Sequence, residues 1–171
     1  VGVVALAVAA FLATQSTRAS VDRAIAEAFD TYYADMWVWF GEPVSNDFRQ
    51  QLVSAPGVRV AEAWTLTNCW VEGVQARLWG MPADTQLYKP RVQAGRWFNP
   101  DEVDAIVISA ELAASQDFRL GDRLQLEVSS GQSEFRVVGI AIDNSIFLGS
   151  TLAGKIFAPR DVVARLLRRH G

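Results

Sequence analysis

The sequence predicts an α+β fold, with strands and helices mixed along the chain. Several short stretches alternate between apolar and polar residues, as half-buried strands do, and between some of them apolar residues recur at helical spacing. Turns rich in glycine, proline and asparagine separate these stretches. With 171 residues, half of them hydrophobic, the chain is long enough for one good-sized domain or two small lobes that share a core.

Residues 1–30 are predicted to form one long helix. Residues 1–13 are apolar apart from one glycine, and Val21, Ile25 and Phe29 follow at intervals of four, the spacing of one helix face. The apolar run is shorter than the ~20 residues that cross a bilayer. We therefore expect the chain to be part of a longer protein, beginning inside a transmembrane helix that continues as a stalk helix.

The same apolar run has a second interpretation, the core of a signal peptide. Ala5, Ala7 and Ala9 form the Ala-x-Ala pattern of a cleavage site. A basic segment ahead of the run is missing, and the helical spacing continues past any such site. These two features favour the membrane helix.

Residues 33–40 alternate in a way that predicts a strand. The predicted core face carries Ala34, Met36, Val38 and Phe40. The opposite face carries Tyr33, Asp35, Trp37 and Trp39. That second face is either covered by another part of the fold, as aromatic residues mostly are, or forms an exposed aromatic surface for a partner.

A helix and a hairpin are predicted next. Ser45 is the expected cap of a helix over 46–54, whose inward residues are Phe48, Leu52 and Val53. Residues 58–70 and 74–80 are predicted strands joined by a turn at Glu72-Gly73. The order of elements up to this point is therefore β-α-β-β.

The middle of the chain is predicted to hold two turns, a strand and a helix. Gly95-Arg96-Trp97-Phe98 is a tight turn that directs two aromatic rings inward, and Asn99-Pro100-Asp101-Glu102 is a surface turn. Residues 105–108 are a short apolar strand. Ser109 is the expected cap of a helix over 110–118.

A hairpin follows the turn Gly121-Asp122. Residues 123–128 alternate as in a half-buried strand, and residues 129–131 close the hairpin. The return strand over 135–142 is richer in apolar residues and is predicted to lie deeper. Within it, Gly139 predicts a bulge or a close approach of backbone.

The last part of the chain is predicted to be a loop, a strand and a helix. The loop over 143–154 has apolar tips at Ile146, Phe147 and Leu148, which either pack on their own domain or contact a partner. Residues 155–158 are a strand, and Pro159 occupies the first turn of a helix that runs to residue 167.

The composition excludes several classes of function. A net charge of -3 gives no basic field for nucleic acid, and a single cysteine, Cys69, allows neither a disulfide nor a multi-cysteine zinc site. His170 lies in a basic tail, where a solvated role is typical. No nucleotide-binding glycine motif is present. We therefore predict no catalytic residue, no cofactor and no metal site.

The order of motifs resembles the MacB-like periplasmic core domain of FtsX-like ABC transporter permeases. The residues that carry the resemblance are Gly95-Arg96-Trp97-Phe98, the acidic turn after it, Ile106-Val107-Ile108-Ser109, Glu111-Leu112-Ala113, Leu120-Gly121-Asp122 and Phe135-Arg136-Val137-Val138-Gly139-Ile140. The resemblance covers nearly the whole chain and depends on the order of the motifs, each of which is common alone.

The resemblance implies two lobes. The membrane-proximal, porter-like lobe is expected to be a split ferredoxin-like β-α-β-β...β-α unit over 31–90 and 153–171, preceded by the helix over 1–30. A small mixed-β outer lobe carrying one helix is expected to be inserted over 91–152. The lobes are expected on the periplasmic or extracellular side of the cell membrane. Under the positive-inside rule, arginines near both ends would suit the cytoplasmic side, but this rule weakens for long translocated segments.

The function implied by the resemblance is mechanical and non-catalytic. Motion driven by a cytoplasmic ATPase subunit would reach this domain through the membrane helices, for export or for lipoprotein, lipid or peptide extrusion. Val21, Ile25 and Phe29 are expected to couple the stalk to the body. The expected contacts with a partner or substrate are Trp37, Trp39, Phe147 and Leu148. Expected partners are a second permease copy or homologue, a periplasmic adaptor, lipoprotein cargo and the membrane.

Two other classes of function stay open at this stage. A membrane-anchored ligand-binding or sensor domain would need a concave apolar pocket between the lobes. An extracytoplasmic enzyme that uses carboxylates alone would need two acidic residues brought together with shifted pKa values. Asp101, Glu102 and Asp104 lack the oxygen spacing of a calcium loop, so a charged turn is the preferred interpretation of that cluster.

Overall fold

A computed structural model describes residues 17–18, 20–22, 26, 31–41, 46–143 and 154–167. The named elements in this part of the chain are α1 (Asn46–Val53), β1 (Thr65–Val71), β2 (Val74–Met81), β3 (Arg91–Gly95), β4 (Ala105–Ser109), α2 (Ala110–Gln116), β5 (Arg123–Val128), β6 (Gly131–Ile142), β7 (Lys155–Pro159) and α3 (Arg160–Leu167). The α+β class is confirmed. None of the helices among these residues has the length and apolar character needed to cross a membrane.

The strands of the described residues form one mixed sheet in the order β3-β6-β4-β7-β2-β1-β5, and β5 also pairs with β6. Six strands therefore close into a ring, and β3 extends it beside the second half of β6. The pairs β2–β7 and β4–β6 are parallel, and the others are antiparallel. The antiparallel pair β4–β7 joins the segment expected in the outer lobe to the segment expected in the membrane-proximal lobe.

Local turn chemistry explains the two hairpins. Glu72 and Gly73 both have positive φ, 46° and 82°, as the two central residues of a type I′ turn require. This turn joins β1 to β2, as predicted, although β1 begins at Thr65 and is shorter than expected. The second hairpin joins β5 to β6, whose register starts at Val128 opposite Gly131. Along β5 exposed and buried residues alternate as predicted.

Capping and proline set the bounds of two helices. The Ser109 hydroxyl accepts from the Leu112 N–H at 3.4 Å and caps α2, which confirms the predicted cap. Asp117 adopts a left-handed conformation and ends α2 before the predicted residue 118. Pro159 ends β7, so α3 begins one residue later than predicted.

Consecutive residues on the central strands point to opposite faces and bury two different clusters. We call the first the inner core. It contains Cys69, Val71, Ala76, Leu78, Ile106, Ile108, Leu112, Ala113, Leu124, Leu126, Val128, Phe135, Val137, Ile156, Ala158, Val162, Val163 and Leu166. We call the second the aromatic layer. It contains Tyr32, Trp79, Met81, Tyr88, Phe98, Ala105, Val107, Val138, Ala141 and Phe157, with Trp37, Trp64, Leu66, Ala83 and Trp97 packed against it.

Close backbone approach fixes the edge of the aromatic layer. Gly95 on β3 lies opposite Gly139 on β6, and a Cβ at Gly139 would collide with the carbonyl oxygen of Arg96. The Arg96 N–H donates to the Val138 carbonyl at 3.0 Å. This confirms the close approach predicted for Gly139, and it places Trp97 and Phe98 over the sheet.

The prediction of a strand over 33–40 was wrong. Beyond the single bridge between Tyr32 and Tyr88, the segment is irregular, and Met36 on the predicted core face is 78% exposed. Val38 and Phe40 are exposed as well. The physical reason is that side-chain rings, and not strand hydrogen bonds, attach the segment to the outer face of the sheet. Alternation of apolar residues does not by itself supply a hydrogen-bonded neighbouring strand.

The predicted inward face of α1 was also wrong in part. Leu52 and Val53 are exposed, and Phe48 is half-buried, with its ring 5.3 Å from the Phe40 ring. Both faces of the sheet are already covered, by α2 and α3 on one side and by the aromatic layer on the other. The predicted cap, Ser45, lies outside the described residues.

Candidate functional site

Four side chains from distant parts of the chain meet inside the aromatic layer, and we call this set the junction: Tyr32, Tyr88, Asp143 and Lys155. Tyr32 follows the helical residue Thr31, and Tyr88 lies shortly before β3. Asp143 follows the last residue of β6, and Lys155 is the first residue of β7. Strands and a helix end thus bring together groups from distant positions, and the hydrogen bond between Tyr32 and Asp143 joins residues 111 positions apart.

The Asp143 carboxylate is the centre of the junction. Its Oδ1 lies 2.9 Å from Lys155 Nζ, and its Oδ2 accepts from the Tyr32 hydroxyl at 2.7 Å and from the Tyr88 hydroxyl at 3.3 Å. The Asp143 and Lys155 side chains are only 0% and 5% exposed. A buried ion pair is stable only when further hydrogen bonds satisfy its remaining lone pairs, and the two hydroxyls do this here.

The surroundings keep Tyr88 in the role of a hydrogen-bond donor. Burial raises the pKa of Tyr88 far above its ordinary value, and the charge of Asp143 raises it further. The Tyr88 ring stacks on Phe157 with centroids 5.5 Å apart. Lys155 Nζ lies 5.6 Å from the Trp79 ring centroid, within the range of a cation–π contact. The pair is therefore held in an apolar, low-dielectric environment, where its attraction is strong.

Backbone hydrogen bonds fasten the N-terminal chain to the same place. The Tyr33 N–H donates to the Leu87 carbonyl at 2.9 Å, and the Lys89 N–H donates to the Thr31 carbonyl at 2.9 Å. Lys89 Nζ also donates to the Tyr33 hydroxyl at 2.9 Å. The chain that follows the helical residue Thr31 is thus held by an antiparallel bridge around Tyr32 before it continues across the sheet.

Rings pack Tyr32 from the outside. Trp37 lies edge-on to Tyr32 at 5.8 Å and to Trp64 at 4.8 Å, so the irregular segment returns onto the aromatic layer. Glu62 fixes this wall, because its carboxylate accepts from Trp64 Nε1 at 2.8 Å and from the Thr85 hydroxyl at 2.6 Å. Aromatic pairs of this kind contribute roughly 0.5–1.5 kcal/mol each beyond their buried area.

The residues predicted to couple the stalk are only partly described. Val21 is helical and exposed, whereas Ile25 and Phe29 lie outside the described residues. Their coupling role stays a prediction. The junction was not predicted, because a lone aspartate before a loop and a lysine at a strand start resemble surface residues. One signal was available, since Lys155 opens a strand whose other residues are all apolar.

The residues predicted to contact a partner divide into two groups. Trp37 is half-buried against the aromatic layer, while Trp39, two residues later, is 56% exposed. Of the two tryptophans on this predicted face, Trp37 is therefore partly covered and Trp39 is exposed. Phe147 and Leu148 lie outside the described residues, as does His170. Partner contact at these positions stays a prediction.

The groups considered for chemistry serve structural roles where they are described. Burial raises the pKa of the Cys69 thiol to about 12, which keeps it protonated near neutral pH and inert as a nucleophile. The Glu102 carboxylate accepts from Arg96 and from the Asn99 N–H, so it ties the charged turn together. Among the described residues, no three His, Cys, Asp or Glu side chains group as metal ligands.

Comparison with known proteins gives a family match and two similar structures. The family model of the MacB-like periplasmic core domain matches residues 1–171. No curated protein matches the sequence. The extracellular domain of the noncanonic ABC-type transporter YknZ from Gram-positive bacteria has a similar fold, with a TM-score of 0.51 and 17% identity over 71% of this chain and 65% of that chain. A domain of a putative permease from Porphyromonas gingivalis gives a TM-score of 0.47 and 20% identity, over 63% of this chain and 53% of that chain.

Proposed function

Because the chain belongs to the MacB-like periplasmic core domain family, a family of extracytoplasmic domains of ABC transporter permeases, we propose that it transmits ATP-driven motion across the membrane. The work is mechanical and needs no catalytic residue in this domain. It serves export or the extrusion of a lipoprotein, lipid or peptide. The observation that carries this proposal is the junction, which fastens the N-terminal chain to the sheet.

The junction suits a mechanical role because it combines three kinds of contact at one point. The bridge around Tyr32 resists separation of the backbone, the bond to Asp143 fixes the side chain, and Trp37 packs the ring from outside. Asp143 directly follows β6 and Lys155 is the first residue of β7. A displacement of Tyr32 is therefore passed directly to two strands of the closed ring. The body then moves as a unit, as rigid-body transitions require.

The remaining parts of the proposal concern the chain around the junction. The stalk helix over 1–30 couples through the face of Val21, Ile25 and Phe29. The membrane-proximal lobe comprises 31–90 and 153–171 in a split ferredoxin-like arrangement, and the outer lobe comprises 91–152. α3 heads toward the second membrane helix. These lobes share strand pairs in the observed sheet, which supports movement of the body as one piece.

The proposed partners follow from the same role. A cytoplasmic ATPase subunit drives the motion, a second permease copy or homologue moves with it, and an adaptor or cargo meets the body outside the membrane. The exposed ring of Trp39 supports a contact surface on the segment that follows the junction, beside the exposed Met36 and Phe40.

The proposal is tested by measuring the distance between the same site in two copies of this domain. Gln125 lies on the exposed face of β5, and the native Cys69 is buried, so a spin label placed at Gln125→Cys is selective. In the permease reconstituted with its ATPase, we expect the distance between the labels of two copies to change when ATP is added. A partner ATPase that cannot bind ATP is the control. Equal distances with and without ATP would contradict the proposal.

A further inference from the structure

The junction ion pair joins two strands that are not neighbours in the sheet. β4 lies between β6 and β7, so Asp143 and Lys155 reach each other across the end of β4 at Ser109. Neighbouring strands are about 4.8 Å apart, so the pair spans roughly twice that distance. Lys155 is two residues from Phe157 and Asp143 is two residues from Ala141, which places both charges on the face of the aromatic layer.

We infer that this pair is a latch whose closed state requires the Tyr32 hydroxyl. With Tyr32 docked, the carboxylate is dry, paired and hydrogen-bonded, and it holds the end of β6 to the start of β7. With Tyr32 withdrawn, the carboxylate loses its 2.7 Å hydrogen bond and the opening admits water. Hydrated charges attract each other weakly, so the strand ends on either side of β4 loosen.

The latch differs from ordinary core packing because it is both polar and local. Apolar contacts weaken gradually as surfaces separate, whereas the hydrogen bond from one hydroxyl to a buried carboxylate is either made or lost. The Tyr88 hydroxyl holds the carboxylate more weakly than the Tyr32 hydroxyl does, since it is 3.3 Å from Oδ2. The state of the latch therefore reports whether the N-terminal chain is docked. A closed latch would let the body follow ATP-driven movement of that chain; this link rests on the proposed function, but the latch itself does not.

Hydrogen exchange on the intact protein without nucleotide tests the latch. Tyr32→Phe removes the hydroxyl and keeps the ring. We expect amide exchange at 139–143 and 155–157 to become about tenfold faster, the loss expected for one hydrogen bond to a charged group. The matched control is Tyr33→Phe. The Tyr33 hydroxyl accepts from the exposed Lys89 Nζ instead, so its removal should leave these amides unchanged. Exchange in β5 should stay the same in both variants.

Two results would overturn the latch. Unchanged exchange in Tyr32→Phe would show that the hydroxyl does not control the strand ends. Faster exchange of similar size in every strand, including β5, would show that the network is ordinary core. As a second variant, Tyr88→Phe should give a smaller local increase at the same amides, because its hydrogen bond is longer. In an Asp143→Asn background, Tyr32→Phe should add less than it does alone.

The latch and the proposed function fail in different ways. The exchange experiment needs neither ATP nor the ATPase. Local acceleration of exchange in Tyr32→Phe therefore supports the latch even if ATP does not change the distance between the labels of two copies. Conversely, an ATP-dependent distance change with unchanged exchange in Tyr32→Phe would keep the proposed function and remove the latch.

Discussion

The inner core and the aromatic layer lie on opposite faces of the same strands, but they are built in different ways. The inner core consists mostly of aliphatic side chains, with the Phe135 ring among them, supplied by alternate strand residues and covered by α2 and α3. The aromatic layer consists of large rings from separate segments, and it encloses the Asp143–Lys155 pair. The two faces therefore depend on different interactions.

This difference separates the stability of the body from the attachment of the N-terminal chain. Aliphatic packing is shared among many small contacts and tolerates substitutions that conserve volume. A buried polar network depends on particular atoms, and removing one of them leaves another unsatisfied. We expect the inner core to hold the body together, and the aromatic layer to decide whether the chain around Tyr32 stays docked.

Breaking the ion pair should have the largest effect. Lys155→Met removes the cation that lies 2.9 Å from the buried Asp143 carboxylate, so the free energy of unfolding should fall by roughly 3–5 kcal/mol. Chemical denaturation of the wild type and the variant measures this. The matched control is Arg160→Met, which removes the more exposed pair with Asp161 and should cost less than about 1 kcal/mol. Equal losses of stability in the two variants would contradict the special importance of the buried pair.

Substitution at two consecutive residues of β2 compares the two faces directly. Leu78 points into the inner core and Trp79 into the aromatic layer. Leu78→Ala should cost about 2–5 kcal/mol through the cavity it leaves, and the loss should appear in all strands alike. Trp79→Leu should instead accelerate hydrogen exchange first at 31–33 and 87–89. The same exchange pattern in both variants would show that the faces are not separate.

The edge of the aromatic layer offers a further comparison. Gly139→Ala should lower the free energy of unfolding by about 2 kcal/mol, because the new Cβ would force the backbone of β6 away from Arg96. The control is Gly41→Ala, where no described residue lies within 4 Å of the added Cβ and stability should hardly change. Thermal melting curves of the two variants make the comparison, and a Gly139→Ala curve that matched the wild type would refute the close approach.

The smallest effect is expected at the charged turn, and it depends on pH. The hydrogen bond from Arg96 lowers the pKa of Glu102 from 4.5 to about 2, so folding favours the ionised carboxylate. The stabilisation is complete above pH 4.5 and is lost as the pH falls toward 2. Glu102→Gln should therefore be slightly less stable than the wild type at pH 7, and the difference should shrink near pH 2. Denaturation at both pH values measures the difference in stability between the two proteins. A difference that is the same at pH 7 and near pH 2 would contradict the expected direction of the pH dependence.

Local patterns explain how much of this structure the sequence predicts. The alternation along β5, the Ser109 cap and the Glu72-Gly73 turn depend on neighbouring residues, and all three were predicted. β3 was missed because it is short and only Val92 and Ala94 in it carry apolar side chains, so it is recognisable as a strand only from its pairing with β6.

The junction could not be predicted because its members are far apart in the chain. The alternation over 33–40 suggested a strand, but the rings of Tyr32 and Trp37 settle on the outer face of the sheet, and that face exists only after β2, β4 and β7 have assembled. A charged residue at the start of an apolar strand was the one local sign of a buried partner. Which residue would pair with it depends on the topology.

The most direct test of the central claim is the distance between the helical residue Val21 and the sheet within one chain. Labels at Val21→Cys and Gln125→Cys occupy exposed positions, and the buried Cys69 does not interfere. We predict one narrow distance distribution that ATP leaves unchanged in the wild type, and a broad one in Tyr32→Ala. A distribution that is equally broad in both proteins would contradict the claim that the junction fastens the N-terminal chain to the body.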